Sequence, residues 1–352
     1  MKTIRIRATE PTTKTRDVPL VIAASPHLKG RDSIPRIMWN VVGALVPIIA
    51  AATWFFGPSA LLVIGASVAG AFLTEHYIGR RGTLMDGSAA ITGILLGLTL
   101  PAGIPLWMPF IGGAFAIGIG KLLFGGLGYN IFNPALLGRA FLQAAFPVAI
   151  TTWPAVTASQ HSWWALRGNN FALPFMGAGH IDAVTAATPL GLMKFEHKST
   201  EIMPLLIGNT GGSLGETAAI VILICGAYLA FRRYLNWRLP VSIFATVAAV
   251  TAVLHQVDPV RYASPMFMLF SGGLVLGAVF MATDMVTAPV TNSGRWIFGA
   301  GVGVLVVIIR VWGGLPEGVM FAILLMNALV PSINRVTHPR AFGAVKAAKV
   351  MS

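Results

Sequence analysis

Charged side chains are scarce in this sequence. Asp, Glu, Lys and Arg make up 11% of its 352 residues, against roughly 25% in a soluble domain. With 55% hydrophobic residues and a mean hydropathy of +0.75, that scarcity excludes a water-soluble globular fold. Cysteine is nearly absent. The single Cys225 lies in the apolar run 222–225 and reads as a small buried hydrophobe. One cysteine excludes an intrachain disulfide and any four-cysteine iron–sulfur or zinc centre. The histidines, at positions 27, 76, 161, 180, 197, 255 and 338, are scattered, and no two have metal-ligand spacing on one helix. Dinucleotide fingerprints, P-loops and hydrolase elbows are missing too, and no catalytic side chain is identified. Any electrons this chain carries must travel on organic cofactors.

What the sequence has in abundance is long apolar runs. A membrane span needs about 20 mostly apolar residues. Ten segments qualify: 37–56, 60–78, 87–104, 106–124, 133–150, 216–233, 240–256, 266–283, 295–312 and 317–334. The third is the weakest, because Pro101, Gly103 and Pro105 cut it short, and a half-helix or re-entrant piece is the other reading. The expected fold is an all-α polytopic membrane protein. A basic cytoplasmic arm occupies 1–35, five helices 36–150, an external loop 151–215, five more helices 216–335 and a cytoplasmic tail 336–352. The first 36 residues carry no apolar stretch of the signal-peptide kind.

The net charge of +13 suggests nucleic acid until its distribution is mapped. With the N-terminus in the cytoplasm, nineteen of the 25 Lys and Arg fall on the cytoplasmic side. Five fall opposite (Arg167, Lys194, Lys198, Arg261 and Arg310), and Arg139 lies within a segment. This is the positive-inside asymmetry. It implies a basic face toward anionic lipid, not nucleic-acid binding, and puts the 151–215 loop outside the cytoplasm.

An odd number of segments in each half makes the second half enter from the opposite side, as in inverted-repeat transport folds. Two echoes support a repeat: Gly-Gly-Leu at 125–127 and at 313–315, and Asp86 and Asp284 near the ends of the corresponding third segments. Glycine strings at 93–97 and 299–303 read as close helix packing.

Charges at membrane depth are functional candidates: Glu75, Asp86, Lys121, Arg139 and Asp284. Arg139 is the deepest and either pairs internally or reaches a cofactor. Asn130, Phe132 and Asn133 introduce the fifth segment. Asn133 before Pro134 makes a good helix start. Equally, two carboxamides beside an aromatic ring suit a planar heterocycle such as isoalloxazine. Trp153, Trp163, Trp164, Phe171 and Phe175 in the external loop serve either as interfacial anchors or as a shield for an outward-facing flavin.

The external loop ends in Asp182-Ala183-Val184-Thr185-Ala186-Ala187-Thr188. Pro189 biases Thr188 toward an extended backbone, leaving a constrained hydroxyl open to modification. The pattern Asp-x-x-Thr-x-Ala-Thr resembles the acceptor motif for covalent FMN, where the last threonine forms a phosphodiester with the flavin phosphate. With it stand Ser25-Pro26-His27, Asp86-Gly87, Asn130-x-Phe-Asn-Pro-Ala, Pro316-Glu317-Gly318 and Pro339-Arg340. The set resembles the D subunit of the Rnf electron-transport complex and, more distantly, the B subunit of the sodium-pumping NADH:quinone reductase. Ala186 replaces the family's usual glycine.

The resemblance implies a multi-subunit assembly of the bacterial inner membrane that couples electron transfer between ferredoxin and NAD to ion movement. It further implies FMN esterified to Thr188 by a separate flavin transferase, with Asp182, Thr185 and Ala187 completing the motif. A non-covalent riboflavin near Asn130 and Asn133 is also implied. Two readings compete: the B-type subunit of a sodium-pumping NADH:quinone reductase, and a solute channel or transporter with no redox role, in which Thr188 is an ordinary loop residue and the asparagines line a polar path.

Overall fold

The computed structural model describes residues 32–79, 83–154, 164–174, 188–216 and 218–338. Among them every regular element is a helix and no strand occurs. In chain order these are α1 (Ile34–Phe56), α2 (Pro58–Ile78), α3 (Ser88–Leu98), α4 (Trp107–Ile117), α5 (Pro134–Ala145), α6 (Pro147–Thr151) and α7 (Pro189–Glu196). There follow α8 (Ile202–Ile207), α9 (Ala219–Phe231), α10 (Arg238–Val257), α11 (Pro265–Phe270), α12 (Leu274–Leu276), α13 (Asn292–Trp312) and α14 (Val319–Val336). A π-turn, Gly118–Leu122, extends α4, and another, Gly277–Met281, extends α12.

Five helices, α1, α2, α10, α13 and α14, are long and apolar enough to cross a membrane. Their most apolar stretches bury only 22–44% of their residues. The remainder presents Trp54, Leu61, Val253, Val304 and Leu325 outward. A soluble monomer does not leave so much apolar surface in water, so this is a multi-pass membrane protein.

The other five expected segments are shorter or broken, each for a visible reason. Segment 87–104 is an eleven-residue helix, α3, followed by turns through Pro101 and Pro105. Segment 133–150 is divided into α5 and α6 by Phe146-Pro147, because proline cannot donate into the preceding turn. Segment 266–283 breaks at Ser271-Gly272-Gly273, where Gly272 takes a φ of +65°. Segment 216–233 is the thirteen-residue α9. Segment 106–124 is α4 with its π-turn.

Non-helical backbone inside an apolar protein must find hydrogen-bond partners within it. Asn170 supplies them for the turn after α3. Its Nδ2 donates to the Ala102 and Ile104 carbonyls at 2.9 and 3.0 Å, and its own carbonyl accepts from Leu106 N at 2.9 Å. The carbonyls of Leu98 and Leu100 accept from Gly215 N and Leu214 N at 2.6 and 3.1 Å. The α3 end is thus sealed by the segment that leads into α9.

The glycine strings act in packing. A Cβ on Gly93 or Gly97 would press on the α2 backbone at Val68 and Ile64, at 2.6 and 2.8 Å. On Gly299 and Gly303 it would meet Ser242 and Thr246 of α10 at 2.6 and 2.7 Å. Cys225 is buried in α9.

The two echoes fare differently. Asp86 and Asp284 each accept, through Oδ1, from the backbone N–H two residues on, Ser88 at 2.8 Å and Val286 at 3.1 Å. The Gly-Gly pairs differ: Gly125 and Gly126 have φ of +112° and +105°, whereas Gly313 stands at −71°. That match of letters is not a match of backbone.

Candidate functional site

Thr188 is the N-cap of α7. Its backbone is extended (φ −69°, ψ 150°) ahead of Pro189, and its Oγ1 accepts from Gly191 N at 3.1 Å. The side chain is half-buried. On one flank lies an open cavity of about 460 Å³ whose wall includes Arg139, Gln143, Trp153, Gly191 and Glu317. A smaller one of about 40 Å³ on the other flank is lined by Gly212, Glu216, Gly272 and Glu317. Asp182, Thr185 and Ala187 lie outside the described residues, as do Trp163 and Phe175.

This setting suits a phosphate ester. The first-turn N–H groups of a helix have no intrahelical partners and carry the positive end of its dipole. At α7 Pro189 has no N–H to offer and that of Gly191 is given to Thr188 Oγ1, which leaves that of Leu190. Glycine at 191 keeps space beside the hydroxyl, since a Cβ there would stand 3.1 Å from Oγ1. Lys194 holds α7 in place. Its ammonium donates to the Gly313, Leu315 and Ile309 carbonyls at 2.5, 2.8 and 3.4 Å, at the far end of α13. Burial holds the Lys194 pKa below the usual lysine value.

Arg139 pairs internally. Its guanidinium lies 3.4 Å from Glu317 Oε2 and 3.9 Å from Glu216 Oε1. Glu317 Oε1 in turn accepts from Gly273 N at 2.5 Å, on the break between α11 and α12. Arg310, buried on α13, donates to the Met268 and Ser271 carbonyls at 2.6 and 2.9 Å, so it seals the end of α11.

A second cluster joins three of the remaining deep charges, Glu75, Asp86 and Lys121, while Asp284 accepts from Val286 N and Thr287 Oγ1. Lys121, on the π-turn after α4, meets Glu75 Oε1 and Ser88 Oγ at 2.5 Å each, with Asp86 at 3.8 Å. π-Turns recur at functional sites. A cavity of about 100 Å³ lies beside it, lined in part by Lys121, Asn130, Asn133, Tyr234, Phe280 and Asp284. Asn133 is heavily committed there. Its Oδ1 accepts from Ala135 N and Leu136 N at 3.0 and 3.3 Å, and its Nδ2 donates to Met281 O at 3.2 Å. Asn130 Nδ2 donates to Phe132 O at 3.2 Å, while the Phe132 ring does not line the cavity.

Sequence reasoning did not join Glu216, Glu317, Arg310, Lys194 and Asn170 to any site. The available signal was a carboxylate placed at the start of an apolar run beside small residues, Gly-Glu at 215–216 and Pro-Glu-Gly at 316–318.

Three relatives align with nearly the whole chain. The D subunit of an ion-translocating oxidoreductase complex from Stutzerimonas stutzeri is 44% identical, covering 89% of this chain and 93% of its own. The D subunit of a proton-translocating ferredoxin:NAD(+) oxidoreductase complex from Clostridium ljungdahlii is 40% identical over 92% and 96%. The Na(+)-translocating counterpart of Acetobacterium woodii is 37% identical over 94% and 97%. The family model described as "NQR2, RnfD, RnfE family" matches residues 21–343, so the chain belongs to that family.

Proposed function

We propose that this chain is a membrane flavoprotein subunit of an ion-translocating ferredoxin:NAD oxidoreductase complex, carrying FMN through a phosphodiester on Thr188. The observation that carries the reading is the placement of Thr188 Oγ1 at the start of α7, with an open cavity beside it. A flavin there supplies one- and two-electron transfer. The chain's own part is to tie down the phosphate at a helix N-terminus and to anchor α7 through Lys194. Trp153 and Arg139 wall the space beside the hydroxyl. A separate flavin transferase installs the ester, and other subunits deliver and remove electrons.

A second, non-covalent flavin, riboflavin, belongs in the cavity beside Lys121, Asn130 and Asn133. Asn133 retains only part of its amide for it, so Asn130, Tyr234 and the Thr92 hydroxyl become the main polar candidates. The positive-inside count supports an inner-membrane orientation with both termini cytoplasmic and Thr188 on the periplasmic side. The broken segments and the matched Asp86 and Asp284 turns support ten crossings in two inverted halves.

In-gel flavin fluorescence combined with mass spectrometry of the 168–194 peptide tests the covalent site. Wild type should fluoresce after denaturation and Thr188→Val should not, while both insert in the membrane. Fluorescence surviving in the variant moves the ester elsewhere. A colourless purified wild type favours a channel with no redox role.

A further inference from the structure

The five Lys and Arg that fall on the external side, against the charge asymmetry, are not spread evenly. Three of them, Lys194, Arg261 and Arg310, line one cavity of about 260 Å³. It lies between α7, the ends of α10 and α13, and the segment 258–264 that joins α10 to α11. Leu190, Met193 and Lys194 face it from α7, whereas Gly191, Leu192 and Glu196 face the cavity beside Thr188. Helical spacing puts those two sets on opposite sides of α7, and Thr188 does not line this cavity. The cations descend into it: Arg261 is exposed, Lys194 half-buried and Arg310 buried.

Among the described residues no carboxylate lines the cavity, and none of the three cations is in a salt bridge. The acids nearby are engaged elsewhere. Glu196 pairs with Lys198 at 2.9 Å, and Asp258 accepts from Val260 N and Arg261 N, both at 3.1 Å. Glu216 and Glu317 act on Arg310 from its other side, where a Cβ on Gly272 would stand 3.2 Å from both Arg310 Nη2 and Glu317 Oε1. That offsets Arg310, although its Nε remains buried without a hydrogen-bond partner. Lys194 and Arg261 stay uncompensated, since the carbonyls that receive the Lys194 ammonium orient it without neutralising it. Charges withdrawn from water are ordinarily paired, so the cavity is short of an anion.

The border of the cavity identifies the source of that anion. Val257, one turn beyond the lining Leu254, and Val260, next to Arg261, are 76% and 80% exposed. Tyr262 lines the cavity, and its ring centroid lies 6.5 Å from that of the exposed Trp312. Tyr and Trp beside exposed aliphatic side chains at the ends of spanning helices mark the level of the lipid headgroups. Guanidinium and ammonium groups are the usual partners of phosphate. We propose that the cavity seats the phosphate of an anionic phospholipid of the outer leaflet, between Arg261, Lys194 and Arg310, with its acyl chains running down α10 from Val257. The choice of leaflet follows from the orientation proposed above; the site itself depends neither on that nor on a flavin at Thr188.

The test uses the purified full-length chain, stripped of lipid in a neutral detergent. Its unfolding temperature is followed against added phosphatidylglycerol, with phosphatidylcholine and inorganic phosphate as separate arms. Phosphatidylglycerol should raise it, and the other two should raise it much less. Arg261→Gln should increase the phosphatidylglycerol concentration at half-effect roughly fivefold, the loss of one basic residue's attraction to anionic lipid. Arg261→Lys should recover most of that. Lys198→Gln removes a charge from the same side but outside the cavity, and should leave the response unchanged, as should Thr188→Val. A phosphatidylglycerol response equal in wild type and Arg261→Gln overturns the proposal, as does an equal loss in Lys198→Gln. A matching response to phosphatidylcholine makes the cavity a seat for acyl chains alone. One to inorganic phosphate with the same dependence on Arg261 assigns it to a soluble anion. Either result overturns the anionic headgroup.

Discussion

Lys121 and Glu75 lie 46 residues apart in sequence, yet their ammonium and carboxylate meet at 2.5 Å with side chains only 2% and 0% exposed. The pair locks the π-turn after α4 to α2, beside the cavity that holds Asn130 and Asn133. Taking two charges out of water is costly, and their attraction offsets that cost only while both are present. Lys121→Met should therefore destabilise the protein by about 3–5 kcal/mol, because Glu75 is left buried and unpaired. Adding Glu75→Gln should restore most of the loss. Thermal unfolding in detergent measures both; equal stability of the single and double variants would show that the pair is not coupled.

Asn133 has a structural duty that must be separated from any cofactor role. Asn133→Ser keeps a good N-cap but loses the donation to Met281 O, whereas Asn133→Leu loses both. Loss of the cap costs about 1 kcal/mol. Extractable riboflavin should fall in both variants, and stability should fall further in Asn133→Leu. If riboflavin remains at wild-type level in a folded Asn133→Leu protein, the residue is a helix start and nothing more.

Gly303 marks a tight part of the α10–α13 contact, where a Cβ would stand 2.7 Å from that of Thr246. Gly303→Val should destabilise by roughly 1–3 kcal/mol through overpacking. Thr246→Ala on the same background should recover part of it. Unfolding midpoints of the three variants decide the matter.

The charge asymmetry makes a sidedness prediction. Reporter fusions after residues 20 and 345 should read cytoplasmic and one after residue 195 periplasmic. A cytoplasmic signal at 195 would remove both the orientation and an external flavin on Thr188.

Some of this was legible in the sequence and some was not. The long spans were, because length and apolarity decide them locally: α1, α2, α10, α13 and α14 fall within a few residues of the expected segments. Thr188 stands extended ahead of Pro189, as the proline requires. One break was legible, at Pro101, Gly103 and Pro105; those at Pro147 and at Gly272-Gly273 were not, because the apolar runs around them are long enough to read as whole spans. Which charges meet was not, since Lys121 with Glu75 and Arg139 with Glu317 depend on helices brought together from distant parts of the chain. Nor was the role of Asn170, whose partners are carbonyls exposed only once α3 has ended. The carboxamides at 130 and 133 pointed to a polar site, but Asn133 turns out to serve the backbone first.

The seal on α3 has a consequence for how the protein is made. The Leu98 and Leu100 carbonyls obtain their partners from Gly215 and Leu214, more than a hundred residues later in the chain. Until the ribosome has delivered that segment, the first half lacks the partners of these two carbonyls, and an apolar surrounding offers no substitute. Its final packing must therefore wait for the end of the loop that leads into α9. A nascent chain arrested before residue 214 should remain a substrate for insertion factors and quality-control proteases, and one arrested beyond α9 should not.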